Sequence, residues 1–153
     1  MLLRYLPKQK IKMETGLLHG HSGLRYIVFL LLIVVLVKAI LNISSKKEWS
    51  TGDTKLTLFL LATSHLQLLL GFVLYFVKGY QGFFSNMGDN MGISEFRWAA
   101  MEHPLMMVVF VVLVTMLHSG NKKEKANKNR RALIFTGISI AIVLAAIPFN
   151  RWF

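Results

Sequence analysis

The sequence predicts an all-α integral membrane protein, an up-down four-helix bundle, and three observations predict it. The 153 residues are 54% hydrophobic and only 16% charged, with a mean hydropathy of +0.51, far more apolar than a soluble domain of this size. The apolar residues gather in four nearly charge-free runs, roughly 26–41, 56–77, 104–117 and 132–149, and about 20 predominantly apolar residues suffice to cross a bilayer as a helix. The connections between runs are short, so consecutive helices are expected to run antiparallel. With interfacial turns included, the spans cover approximately 16–43, 55–78, 95–118 and 131–149 of a single domain, 1–153.

In chain order, the opening MLLRYLPKQKIKMETG has no apolar core long enough for a cleavable signal and is expected to persist. Thr15 is placed to cap the first span, and Lys38 lies close enough to its far end to snorkel. The second span qualifies on length alone. The connection GYQGFFSNMGDNMGIS (Gly79–Ser94) mixes turn-forming glycines with Phe and Met, and is expected to fold back over the bundle end as a cap. Ser94 followed by Glu95 reads as a helix N-cap with an acidic first turn, so the third span begins before its apolar run. Pro104 disfavours helical geometry at His103 and predicts a kink or helix start there. The Met-rich LMMVVFVVLVTM reads as helix packing rather than a copper relay. The final IPFNRWF reads as an interfacial anchor, with Pro148 ending the helix, Trp152 at the headgroups and Arg151 directed to lipid or an anionic group.

A net charge of +11 raises nucleic acid as a partner, but the basic residues lie in tails and loops between apolar spans, a pattern that fits a lipid bilayer with anionic headgroups. Ten Lys and Arg, among them Lys46, Lys47, Lys55, Lys122, Lys123, Arg130 and Arg131, fall on one side of the spans, against 8 on the other. The positive-inside rule then places both termini on the non-cytoplasmic side. The absence of cysteine removes disulfides, thiolate metal sites and covalent c-type haem from consideration.

Five histidines remain: His19, His21, His65, His103 and His118. The first and third spans are diagonal in an up-down bundle and run in the same direction, so His19, His21 and Arg25 lie at a depth similar to that of Arg97, Glu102 and His103. Two imidazoles facing each other across a bundle at one level are arranged for a bis-histidine haem. His21 is preferred to His19, because His21 and Arg25 share a face at i, i+4 and the guanidinium can pair a haem propionate. Glu102 can orient an imidazole from behind. His65 falls in the middle of the second span and is expected to face the interior, as an alternate haem ligand, a contact for a quinone headgroup, or a hydrogen-bond bridge to Thr63 or Thr136. His118 reads as a residue favoured at a helix C-terminus. Two other readings stay open: interfacial histidines in a cofactor-free scaffold subunit, and a non-haem metal site built from His19, His21, Glu102 and His103.

The segments HGHSGLRY (His19–Tyr26), HLQLLLGFVLYF (His65–Phe76), EHPLMM (Glu102–Met107) and IPF (Ile147–Phe149) resemble a small family of four-helix membrane proteins from Bacteroidota labelled "cytochrome B". The resemblance covers most of the chain from His19 onward and departs at the terminal NRWF. It implies non-covalent haem b and electron transfer in a bacterial inner (cytoplasmic) membrane, where the positive-inside rule makes both termini periplasmic. It strengthens His21, His65 and His103 as site residues. On this reading the protein exchanges single electrons with a quinol or a redox partner protein, as a homo-oligomer or as a subunit of a larger membrane complex.

Overall fold

The computed structural model describes residues 8–123 and 126–147, with side chains from residue 12 onward. These residues are almost wholly helical, with no strand among them. The order is α1 (Lys8–Ser44), α2 (Thr51–Val77), a 3-10 segment (Tyr80–Asn86), the short α3 (Met87–Asn90), α4 (Ser94–Arg97), a π-helical turn (Trp98–Glu102), α5 (His103–Lys123) and α6 (Lys128–Ala146). Because α4, the π turn and α5 are continuous, four helices are long and apolar enough to cross a membrane.

Each long helix packs on two others. α1 lies against α2 and α6, and α5 lies against the same two, so α1 and α5 face each other across a closed ring. The middle of the ring is a dry core in which Leu32, Leu60, Val114 and Leu117 are almost wholly inaccessible. The outward faces carry Leu30, Phe59, Leu69, Phe76 and Leu105, each at least 60% exposed. Apolar residues on both faces leave no amphipathic stripe for water to select.

Several helix boundaries differ from those the sequence predicts. α1 is already helical at Lys8, so Thr15 lies inside it rather than capping it; nothing in KQKIKMETG breaks a helix. α2 starts at Thr51, behind a capping box in which Ser50 accepts from the Asp53 backbone N–H while Asp53 accepts from the Ser50 N–H, which satisfies two amides left over at the helix start. Ser94 is the first residue of α4, with Ile93 in the cap position and no side-chain cap bond. Lys38 turns to Asp53, Nζ to Oδ1 3.3 Å. α2 ends at Val77, and two residues on, Gly79, with a φ of 74°, lies in the left-handed region that glycine enters without steric cost. Pro148, Arg151 and Trp152 lie outside the described residues.

The Gly79–Ser94 connection folds back on the helices. Phe83 is fully buried between Phe84 and Phe96, at centroid distances of 5.4 and 5.3 Å. Its carbonyl accepts from Asn90 Nδ2 at 2.9 Å. Tyr80 bridges from Tyr75 of α2 to Phe96 of α4. Arg97 fastens the far side, donating from Nη1 to the Met91 carbonyl at 2.7 Å and from Nε to Glu102 at 2.6 Å.

Candidate functional site

The interior face of α1 follows helical spacing through His21, Arg25, Val28, Leu32, Val35, Ala39 and Asn42. On α2 the equivalent stripe is Asp53, Thr57, Leu60, Ser64, Gln67, Gly71 and Leu74. His21 and the Gln67–Gly71 turn meet at the same end of the ring, next to the start of α5. Gln67 donates from Nε2 to the His21 carbonyl at 2.9 Å, and its amide nitrogen lies 3.4 Å from His21 Nε2. The ring sits so close to α2 that a Cβ on residue 71 would lie 3.1 Å from His21 Cε1. Glycine is therefore part of the seat.

His103 is set by its own backbone. Pro104 has no N–H, and its ring crowds the carbonyl four residues earlier in a regular helix. The chain answers with the π turn, in which the His103 N–H donates to the Trp98 carbonyl, five residues back, a local widening that recurs at functional sites. The kink or helix start expected at His103 is thus a π turn inside a continuous helix. It stacks Trp98 on His103 with centroids 5.0 Å apart. The Ala146 carbonyl, in the last turn of α6, accepts from Trp98 Nε1 at 3.1 Å and His103 Nδ1 at 3.2 Å. A carbonyl only accepts, so Nδ1 of His103 carries a proton.

The imidazoles of His21 and His103 face each other from opposite members of the ring, with centroids 6.4 Å apart and planes at 77°. Both line a cavity of about 370 Å³. Its walls are mainly apolar, among them Phe29, Leu68, Phe72, Met107 and Phe110, and Lys78 and Tyr80 lie at its rim. Arg25 also lines it, with its guanidinium 4.7 Å over the Tyr26 ring and Nη2 donating to the Tyr26 hydroxyl at 2.9 Å. Three buried polar atoms in this wall, His21 Nδ1, Ser64 Oγ and Gln67 Oε1, have no hydrogen-bond partner among the described residues. Each such atom costs about 1–3 kcal/mol when left unmet, and the three bring polar character to a largely apolar wall.

The other sequence-predicted residues are placed differently. His19 is exposed on α1. His65 does not face the interior as expected. It is exposed, and its Nδ1 lies 2.9 Å from the Leu61 carbonyl one turn back; its own helix supplies the partner, and Ser64 and Gln67 hold the inner face. Glu102 is engaged by Arg97 and orients no imidazole. His19, His21, Glu102 and His103 do not gather into a cage, and no group of three His, Cys, Asp or Glu able to hold a metal occurs among the described residues. His118 is buried at the opposite end, 3.1 Å from Thr57 Oγ1.

The sequence reading missed Gln67, Gly71, Ser64 and Trp98 as site residues. Gln67 and Gly71 do carry a signal, since i, i+4 residues share a helix face, but only the structure shows that the face meets His21. Searches of protein-family models, curated proteins and solved structures match nothing to this chain, and its chemistry is read from the geometry alone.

Proposed function

We propose that this protein is a membrane-bound b-type cytochrome of the bacterial inner membrane, an up-down four-helix bundle that passes single electrons through a haem held by His21 and His103. One observation carries this reading: two imidazoles across one cavity at 6.4 Å. At that separation both imidazoles would be able to hold one iron, each through a ring nitrogen at about 2.0 Å.

The residues present fit the group. The cavity wall is aromatic and aliphatic, as a macrocycle requires. His103 already donates Nδ1–H to a carbonyl, the outer support that a metal-bound histidine usually has. Bound haem b supplies one-electron exchange at iron. His21 and His103 would hold the group, Phe29, Phe72 and Phe110 would keep water from it, and Arg25 would be the cation for a propionate. Burial in an apolar ring then sets the potential. The electron partner on this reading is a quinol or a redox protein, and the positive-inside rule places the site near the periplasmic rim.

The test is a reduced-minus-oxidised visible spectrum of the purified protein, expressed with ample haem. A sharp low-spin α-band is expected. Absence of any Soret absorption rules out the cytochrome and leaves a cofactor-free scaffold.

A further inference from the structure

The two imidazoles are supported in different ways. His103 is held by a backbone carbonyl that no substitution removes. His21 is held by a side chain, and that support is incomplete: Gln67 grips the His21 carbonyl and approaches one ring nitrogen with its N–H₂, while Gln67 Oε1 and His21 Nδ1, in the same cavity wall, are both buried without partners among the described residues. A histidine that gives one nitrogen to a metal carries a proton on the other, and that N–H needs an acceptor. Among the described residues, Gln67 is the side chain hydrogen-bonded to His21. Rotation of its terminal amide exchanges Oε1 with Nε2 about a torsion that is broad and roughly two-fold; the turn gives up the Gln67 bond to the His21 carbonyl, which keeps the intrahelical donor of α1, and the oxygen must shift off that carbonyl toward the ring nitrogen. The ring itself has little room to retreat, because Gly71 backs it closely.

From this geometry we infer that Gln67 is the positioning residue of the site, its amide turning to accept the His21 N–H when the cavity is filled and thereby tuning the haem potential. The inference rests on the haem reading. Stronger acceptance makes the imidazole a better donor to iron and favours the oxidised state; loss of the acceptor favours the reduced state. Gln67 thus adjusts one axial ligand while Ala146 fixes the other.

The experiment is redox titration of the purified full chain carrying Gln67→Glu or the near-isosteric Gln67→Met, beside wild type. The midpoint potential is expected to fall in Gln67→Glu and rise in Gln67→Met, and haem retention in Gln67→Met to drop about 10-fold, as for other supports behind a ligand. A merely structural role lowers haem content in both variants without moving the potentials in opposite directions. If both retain the wild-type potential, Gln67 is not the tuning residue, although the cytochrome stands. If wild type itself binds no haem, the cytochrome and this inference both fall. Should Gln67→Met not fold, the sign of the Gln67→Glu shift decides the matter alone.

Discussion

The two ends of the helical ring hold polar residues in opposite states of completion. At the end away from the cavity, every helix is tied to its neighbours. Asn42 of α1 donates to Asp53 of α2 at 3.1 Å and to Asn129 of α6 at 3.2 Å, and Asn129 donates to the Lys47 carbonyl at 2.7 Å. Thr57 of α2 meets His118 of α5, and Asn121 of α5 accepts from Arg131 of α6 at 3.3 Å. Asp53 alone takes bonds from Ser50 and Asn42 and an ion pair from Lys38. At the cavity end, polar groups of the same kinds are left partly unmet. A satisfied network rigidifies, whereas an unsatisfied one is costly unless something else completes it. One end locks the helices; the other leaves His21 Nδ1, Ser64 Oγ and Gln67 Oε1 without hydrogen-bond partners among the described residues.

That contrast can be broken experimentally, beginning with the largest effect. His21→Ala and His103→Ala are each expected to abolish the low-spin band while helical content by circular dichroism is retained; a band surviving in either variant removes that residue as a ligand. Asp53→Ala is expected to do the reverse. It removes half of a capping box, one of the two bonds of Asn42 and the ion-pair partner of the half-exposed Lys38, with a stability loss of about 2 kcal/mol read as a lower unfolding midpoint, and any haem spectrum unchanged. A lost spectrum in a folded Asp53→Ala protein shows that the ends are coupled after all. The smallest effect is expected from His65→Ala, because His65 faces outward and bonds only to its own helix: the band and the midpoint should both match wild type. A missing band there would return His65 to the site.

Much of the framework is legible in the sequence because it depends on long-range averages. Four apolar runs yield four long helices whatever their ends do. The meeting of His21 with His103 can be read from depth and chain order, since both follow from counting residues along helices. The ends are harder, because a cap depends on one backbone angle: Thr15 and Ser94 have the right chemistry in the wrong conformation, while Ser50 and Asp53 form a true capping box ahead of the apolar run. His65 misleads for another reason. Its position at mid-span predicts an inward face only if its own helix offers no partner, and the Leu61 carbonyl does. Gln67 shares a helix face with Gly71, but without the fold a glutamine in an apolar helix reveals neither its target nor its unmet oxygen.

The Ala146 carbonyl is where the last long helix reaches back to Trp98 and His103, more than forty residues earlier in the chain. During synthesis, an emerging polypeptide that stops short of that residue has His21, Gln67 and the π turn in hand but lacks the carbonyl on which Trp98 and His103 converge. Maturation of the pocket therefore waits for the fourth helix, and a truncated or stalled product cannot mimic the finished one.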